Sequence, residues 1–232
     1  MSSFQIGGLT PLTSTDFPGC LAAVVFCQGC PWRCGYCHNP HLIPRQVDNQ
    51  LEWANVLSFL QRRQGLLDAV VFSGGEPTLQ DGLNPAMKSV DALGFKVGLH
   101  TGGAYPERLE KLLPLTSWVA MDIKAAFTDY DKVTGMPESG KKAYKSAQLL
   151  LASGVPYEFR TTVHPLYHTQ HSLLQLAEAL QQLGVKHYLL QEFRAQGCVD
   201  ETVNSFSAQE LLDDGLCSRI GAMFESFSVR RA

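Results

Sequence analysis

The sequence predicts an α/β fold built on a sheet of parallel strands. Three observations predict it: short apolar runs recur along the chain, helical patterns lie between them, and polar or glycine-rich residues follow the runs. Buried parallel strands read as near-continuous apolar runs, and strands that alternate with helices pair in parallel through right-handed crossovers. Such a sheet is either an open doubly wound layer or an incomplete barrel, and both bind ligands at the carboxyl ends of the strands.

Six strands are predicted from apolar or β-branched runs. They are residues 21–27, 68–73, 95–101, 118–123, 157–163 and 185–193. Helical spacing and glycine or proline stop signals predict helices at 51–64, 84–93, 106–113, 141–153 and about 173–183. A capping box at Ser207–Glu210 predicts a last helix over about 207–228. The chain has no linker or repeat, so a single domain is expected over residues 1–232, with its core at about 20–193.

Composition narrows the class of protein. A net charge of −3 gives no basic field for nucleic acid. No apolar run approaches the ~20 residues of a membrane-spanning helix, and the amino terminus does not read as a secretory signal. We therefore expect a cytoplasmic protein that binds neither nucleic acid nor membrane. In such a compartment its seven cysteines are metal ligands or free thiols rather than disulfides.

Three cysteines in the run FCQGCPWRCGYCHNP carry the strongest signal. Cys30, Cys34 and Cys37 follow the first predicted strand with the spacing Cx3Cx2C. Three thiolates on one loop can hold three irons of a 4Fe–4S cluster and leave the fourth iron open. The alternative is structural zinc bound by Cys27 together with these three, although zinc modules separate their cysteine pairs by ~15–20 residues. Cys20, Cys198 and Cys217 have no ligand spacing and are interpreted as core or surface thiols.

Polar groups lie at the ends of the next three predicted strands, and the fifth strand carries two more. The groups are Gly74-Gly75-Glu76-Pro77, His100-Thr101, Asp122-Ile123-Lys124, and Arg160 with His164. Because the carboxyl ends of parallel strands share one rim, these groups and the cysteine loop are expected to converge there. Each pattern also has a plain structural interpretation: a strand-to-helix turn for the glycines, a rim salt bridge for Asp122 and Lys124, and an ion pair for Arg160.

Together these motifs resemble the radical S-adenosylmethionine (SAM) superfamily. The resemblance rests on the cysteine spacing with Tyr36 before the last cysteine, and on the glycine motif after the second strand. The segment Cys37–Pro40, the segment Asp16–Gly19 and the Asp-x-Lys pattern narrow it to activases of glycyl-radical enzymes. Among these, the chain resembles the activating proteins of anaerobic ribonucleoside-triphosphate reductases. The resemblance implies a partial (β/α)6 barrel of parallel strands.

The resemblance also implies two cofactors and a set of site residues. Cys30, Cys34 and Cys37 would ligate a 4Fe–4S cluster, and SAM would chelate the open iron through its amine and carboxylate. One electron from the cluster would then cleave SAM to methionine and a 5′-deoxyadenosyl radical. The other implied SAM contacts are Tyr36 and His38 at the adenine, Gly74 and Gly75 through their backbone, Glu76 at the ammonium, Asp122 and Lys124 near the carboxylate and ribose, and Arg160.

Several residues stand apart from these assignments. Cys27 is interpreted as a small buried or loop thiol, because a fourth thiolate would block SAM. Trp32 is expected to pack over the cluster, and His38 could cap the loop instead of touching adenine. Pyruvate formate-lyase activase has an aspartate of a cation site where this chain has His100, which argues against a monovalent cation here. The remaining histidines are interpreted as surface or rim residues: His41, His164, His168, His171 and His187.

The implied partners are a large glycyl-radical enzyme and an electron-transfer protein. The radical would abstract hydrogen from a glycine of anaerobic ribonucleotide reductase, and a reduced flavodoxin or ferredoxin would supply the electron. A six-strand partial barrel leaves an open side that admits a peptide loop. Three other functions stay open: activation of another glycyl-radical enzyme of the pyruvate formate-lyase type, a small-molecule radical SAM reaction such as one of the deazaguanine pathway, and a non-catalytic zinc or iron–sulfur binding module.

Overall fold

The computed structural model describes residues 4–48 and 51–232 and is organised around one sheet. Its strands are β1 Ile6–Thr13, β2 Ala22–Cys27, β3 Ala69–Gly74, β4 Lys96–Thr101, β5 Trp118–Asp122, β6 Tyr157–Val163, β7 His187–Glu192 and β8 Ser226–Arg230. Its helices are α1 Trp53–Gln61, α2 Leu83–Ala92, α3 Pro106–Leu112, α4 Tyr130–Thr134, α5 Ser139–Ser153, α6 Gln170–Gln182, α7 Glu201–Asn204 and α8 Asp214–Gly221. The predicted α/β class is confirmed, and the six predicted strands are β2–β7.

The strands lie in the sheet in the order of the chain, from β1 to β8. The pairs from β2 to β8 are parallel, and β1 pairs with β2 antiparallel. A doubly wound sheet reverses its strand order at a switch point, whereas this order runs in one direction. The sheet is therefore of the incomplete-barrel kind, and it has two strands more than the six predicted.

Both additional strands are edges of the sheet. β1 contains two glycines and a proline, and its register shifts twice against β2. Edge strands tolerate such residues and bulges, which hide the strand pattern in the sequence. β8 is SFSVR, in which exposed and half-buried residues alternate. Neither sequence forms the apolar run that marks a strand buried on both faces.

The prediction of one helix over about 207–228 is wrong. Asp213 caps α8, because its Oδ1 accepts a hydrogen bond from the Leu216 amide at 2.7 Å. Ser207 accepts instead from the Gln209 amide at 3.2 Å and forms a local turn. Side chains of this kind close turns as readily as they cap helices, so the capping pattern indicated a start six or seven residues too early. The short helices α4 and α7 carry no long apolar stripe and were not predicted.

The two faces of the sheet pack into different clusters. On β3, Val70 and Phe72 pack against the helices, whereas Ala69 and Val71 face the interior of the incomplete barrel. Successive side chains of a strand alternate in this way. Phe17 and Trp118, with ring centroids 5.5 Å apart, fill the interior near the amino ends of the strands. The described residues include no helix long and apolar enough to cross a membrane.

Candidate active site

A cavity of about 410 Å³ opens at the carboxyl ends of the strands. Every site residue predicted from the sequence lines it. These residues are Cys30, Cys34, Tyr36, Cys37, His38, Gly74, Gly75, Glu76, Asp122, Lys124 and Arg160. Their convergence follows from the parallel sheet, because the cysteine loop follows β2, the Gly74–Glu76 turn follows β3, and Asp122 and Lys124 lie at and just after the end of β5. Arg160 lies within β6, next to Asp122 in the ladder. Their roles toward a cofactor stay predictions.

The cysteine loop leaves β2 and is fixed to its surroundings by its backbone. The Cys30 amide donates to the Ile43 carbonyl at 3.1 Å, and the Arg33 amide donates to the Thr134 carbonyl at 2.7 Å. Cys30, Cys34 and Cys37 are partly buried free thiols on the cavity wall. Cys27 is fully buried in the hydrophobic core and does not line the cavity. The prediction that Cys27 is a buried thiol is therefore confirmed.

The three thiols fit an iron–sulfur cluster. Burial, with the charge of Glu76 adding to it, raises the pKa of Cys30 to about 12. Burial also raises the pKa of Cys34. Such thiols ionise when a bound metal supplies compensating positive charge. Among residues 4–48 and 51–232, no three His, Cys, Asp or Glu side chains are placed to share one metal ion. Thiolates that bind separate irons of one cluster do not need to converge on one point.

Gly74 and Gly75 are required by the way β3 meets the cysteine loop. The Gly75 amide donates to the Cys27 carbonyl and the Glu76 amide to the Gly29 carbonyl, both at 2.9 Å. Gly74 has a φ of +107°, and a Cβ atom there would lie 2.6 Å from the Cys27 nitrogen. A Cβ atom on Gly75 would overlap the Gly29 carbonyl oxygen. The glycines therefore let two backbones touch, and they also leave this cavity wall free of side chains.

Glu76 is buried and already holds four hydrogen bonds from the chain. Its Oε1 accepts from the Thr78 amide at 3.1 Å, from Thr78 Oγ1 at 2.6 Å and from Thr101 Oγ1 at 2.7 Å. Its Oε2 accepts from the Gly102 amide at 2.9 Å. The carboxylate thus joins the turn after β3 to the end of β4. Oε2, with a single donor, is the oxygen that retains room for an ammonium group.

Asp122 lies between two cations. Its Oδ2 is 3.0 Å from Lys124 Nζ, and its Oδ1 is 3.2 Å from Arg160 Nε. Burial works to raise the pKa of Asp122, but the charges of Lys124 and Arg160 outweigh it and hold the pKa well below the usual range. Burial likewise works to lower the pKa of Lys124, and the Asp122 charge more than reverses this. Two cations thus share one carboxylate, which leaves one positive charge on this wall.

Tyr36 and His38 lie in the cysteine loop with their rings packed. The Tyr36 ring stacks on His164 with centroids 6.2 Å apart, and His38 stacks on Phe193 at 5.4 Å. His38 Nε2 donates to the Arg194 carbonyl at 2.9 Å, and burial lowers the pKa of His38. Within the described residues the buried Tyr36 hydroxyl has no hydrogen-bond partner. An unpartnered hydroxyl at a cavity wall fits a bound polar ligand.

His100 also lines the cavity, as a neutral side chain. Its Nε2 donates to the Asp16 carbonyl at 2.8 Å. Burial and the charge of Arg160 lower its pKa to about 4. At neutral pH this wall therefore carries an uncharged imidazole in the position where the resemblance to pyruvate formate-lyase activase would place an anion.

The interpretation of His164 and His168 as surface or rim residues is wrong. They are 0% and 3% exposed, because each ring donates to a backbone carbonyl far away in the sequence. His41, His171 and His187 are exposed, as predicted. Two arginines that no sequence motif indicates, Arg194 and Arg230, also line the cavity. The alternation in SFSVR is a signal that would have placed Arg230 on a strand.

The chain matches known proteins over most of its length. Residues 24–189 match the radical SAM superfamily. A Methanocaldococcus jannaschii protein named as a glycyl-radical enzyme activating enzyme is 31% identical over 205 residues, which is 84% of this chain and 82% of that protein. The pyruvate formate-lyase-activating enzyme of Streptococcus mutans is 32% identical over 203 residues, which is 79% of this chain and 75% of that enzyme.

A solved structure has the same fold. SuiB of Streptococcus suis bound to S-adenosylmethionine superposes with a TM-score of 0.68 at 12% identity over 88% of this chain. The chain spans 48% of SuiB, about half its length. Radical SAM proteins use a 4Fe–4S cluster together with SAM, and the cavity described above offers donors for both. The chain is an enzyme that belongs to the radical SAM superfamily, in the family of glycyl-radical enzyme activating enzymes.

Proposed function

We propose that this enzyme generates a glycyl radical on anaerobic ribonucleoside-triphosphate reductase. The observation that supports the radical chemistry is that the three cysteines and the other predicted SAM contacts line one cavity. The neutral His100, held by the Asp16 carbonyl, supports the reductase as the client. In the proposal, Cys30, Cys34 and Cys37 hold the cluster. When bound, the cluster and SAM would supply the radical chemistry that removes a hydrogen atom from a glycine of the partner.

The side chains of the cavity orient SAM by charge and hydrogen bonding. Lys124 and Arg160 share the Asp122 carboxylate, so the remaining positive charge on this wall matches the carboxylate of SAM. Glu76 Oε2, which has one donor from the chain, accepts from the ammonium. Gly74 and Gly75 leave the backbone open to the methionine end. Tyr36 and His38 contact the adenine end, where the Tyr36 hydroxyl lacks a partner among the described residues.

A peptide from the partner enters through the side of the incomplete barrel. In the part of the chain that the structure describes, β1 and β8 are the two edges of the sheet. Residues next to both edges line the cavity: Thr15 and Asp16 after β1, and Arg230 on β8. The gap between the edges therefore leads to the cavity, and a glycine on a loop can reach it. A reduced flavodoxin or ferredoxin supplies the electron.

The second candidate is a pyruvate formate-lyase type client. The similarity to the Streptococcus mutans activase favours it, because the two chains are 32% identical over 75% of the length of that activase. His100 argues the other way, because it puts a neutral ring where the resemblance to pyruvate formate-lyase activase expects the aspartate of a cation site. Proteins that bind different clients are expected to differ at such positions around a shared reaction centre.

The test compares the two clients side by side. Anaerobically reconstituted enzyme is mixed with SAM, dithionite and either anaerobic ribonucleotide reductase or pyruvate formate-lyase, and the electron paramagnetic resonance spectrum is recorded. We expect a glycyl doublet on the reductase. The variant Cys34→Ala should give no doublet on either client. A doublet on pyruvate formate-lyase alone, with SAM cleaved in both mixtures, would transfer the assignment to the second candidate.

A further inference from the structure

The chain leaves the sheet after Asp122, the last residue of β5, and buried side chains hold the backbone carbonyls of residues 122–124. The last ladder pair of β5 joins Asp122 to Arg160. From Asp122 onward, three consecutive carbonyls each accept a hydrogen bond from a side chain. The donors to the carbonyls of residues 122, 123 and 124 are Tyr130 Oη at 3.2 Å, Thr161 Oγ1 at 2.8 Å and His168 Nε2 at 2.9 Å. The Ile123 amide still donates to the Arg160 carbonyl of β6 at 2.7 Å, and side chains take the place of a neighbouring strand at the three carbonyls.

His168 is held in one tautomer. Its Nε2 must carry the proton, because the Lys124 carbonyl is only an acceptor. Its Nδ1 lies 3.1 Å from the His164 amide nitrogen and 3.2 Å from the His164 carbonyl oxygen. In the neutral ring Nδ1 accepts from that amide. The side chain is 3% exposed, and burial lowers its pKa, which favours this neutral form.

The carbonyl that His168 holds belongs to the residue whose side chain faces the cofactor cavity. Lys124 Nζ lies 3.0 Å from Asp122 Oδ2 and 6.0 Å from the centroid of the Tyr36 ring. A lysine side chain has four flexible bonds, so its ammonium is fixed only when backbone and partner are both fixed. Asp122 provides the partner, and His168 provides the backbone anchor. A second-layer residue of this kind can alter affinity without touching the ligand.

We propose that His168 is a positioning residue for SAM, which acts by holding the Lys124 carbonyl so that the Lys124 ammonium meets the carboxylate of SAM. This inference rests on the proposed function, which places SAM against Lys124. His168 itself does not line the cavity. A substitution of His168 is therefore expected to change the affinity for SAM only through its effect on Lys124.

Two substitutions test the Nε2 donor and the Nδ1 acceptor of the His168 ring separately. His168→Gln places an amide nitrogen near the position of Nε2 and keeps a donor for the Lys124 carbonyl. His168→Asn places an amide oxygen near the position of Nδ1, keeps the acceptor for the His164 amide and loses the donor. The loss of one hydrogen bond predicts about a three- to tenfold rise in the Kd for SAM in His168→Asn. His168→Gln should stay within about twofold of the wild type. The exposed His171→Asn on α6 is the matched control.

The Kd is measured by isothermal titration of SAM into reconstituted enzyme without reductant or client. In a Lys124→Met background, His168→Asn should have no further effect, as a double-mutant cycle requires for a residue that acts through another. Equal Kd values for His168→Asn and the wild type would overturn the inference. An equal loss of affinity for SAM in both His168 variants would also overturn it, because that result indicates a merely structural role. A wild-type enzyme that does not bind SAM would instead overturn the proposed function.

A measurement on the wild type keeps the inference testable should His168→Asn not fold. Nitrogen-15 NMR of histidine-labelled apoprotein distinguishes the two neutral tautomers and the cation, and the spectrum of His168→Gln assigns the signal. We expect His168 to be protonated at Nε2 and bare at Nδ1 at neutral pH. A ring protonated at Nδ1 alone cannot donate to Lys124 and would contradict the proposal.

Discussion

Replacing Glu76 with glutamine tests the finding that this residue holds the apoprotein together. The carboxylate accepts four hydrogen bonds, three at Oε1 and one at Oε2. Glutamine has one acceptor oxygen, so its amide nitrogen must face donors at the other position. The less costly choice puts the nitrogen at the Oε2 position, where it opposes the Gly102 amide.

The expected cost follows from these contacts. One hydrogen bond to a charged group, worth about 1.5–3 kcal/mol, is lost. The three that remain become neutral and correspondingly weaker. We therefore expect Glu76→Gln to lower the free energy of unfolding of the apoprotein by about 2–4 kcal/mol. A residue whose only task was to bind the ammonium of SAM would leave the apoprotein unchanged.

Urea unfolding of the metal-free, reduced apoprotein measures this difference. The shift of the midpoint, multiplied by an unchanged m value, gives the change in free energy. Glu178→Gln, on the exposed face of α6, makes the same chemical change without buried donors and should stay within about 0.5 kcal/mol of the wild type. If Glu76→Gln unfolded at the same urea concentration as Glu178→Gln, the four hydrogen bonds would not have the assigned role.

Three further predictions concern the cavity. Gly75→Ala drives a methyl carbon into a backbone carbonyl oxygen, so it should lower apoprotein stability by about 1–3 kcal/mol; Gly8→Ala, which meets only a side chain at 3.6 Å, is the control in the same urea assay. The pKa of His100 is about 4 in the folded protein against an ordinary 6.5. As the pH drops, the unfolded chain therefore binds the proton before the folded protein does, and the free energy of unfolding should fall between pH 6.5 and 4. His100→Gln should reduce this dependence on pH, as urea unfolding at a series of pH values will show. Cys34→Ala should lose the cluster on reconstitution, whereas Cys27→Ala should keep it, as iron and sulfide analysis and the visible spectrum will show. Loss of iron in Cys27→Ala would instead show that Cys27 is a fourth metal ligand, as in the alternative of a four-cysteine site.

The sequence predicts the central strands because burial on both faces leaves little choice of residues. DAVVFS and WVAMDI correspond to β3 and β5 within about one residue at each end. The rim residues follow, because a parallel sheet gathers the ends of its strands. β1 and β8 each have one neighbour and one open edge, so their sequences carry glycine, proline or serine and resemble loops or helix ends.

Tertiary contacts decide the parts of the site that the sequence does not predict. The burial of His164 and His168 depends on the carbonyls of Val203 and Lys124, which lie 39 and 44 positions away in the chain. A histidine after a strand gives no sign of such a distant acceptor. The cavity position of Arg194 depends on the path of the chain after β7, where its carbonyl meets His38. Motif spacing constrains ligands on one loop, but not the side chains that support them.

A pair of proline substitutions tests the register of β8, whose first residues fall in the helix predicted over about 207–228. The Ser226 amide donates to the Lys186 carbonyl at 2.9 Å. Alternate residues of a parallel strand direct their amides to the same neighbour, so the amide of Ser228 faces β7 and that of Val229 faces the open edge. Ser228→Pro should therefore remove a ladder hydrogen bond and lower stability by about 2–3 kcal/mol.

Val229→Pro removes only an amide that faces the edge, where proline is tolerated. Val229 is half-buried, so Val229→Ala measures the packing that Val229→Pro loses with its side chain. Ser228→Ala is the corresponding side-chain control for Ser228→Pro. After this correction we expect Ser228→Pro to cost at least about 1 kcal/mol more than Val229→Pro in urea unfolding. Equal costs would mean that residues 226–230 do not pair with β7 in this register. Arg230 would then have no fixed route to the cavity wall, because the same ladder places it opposite Gln191.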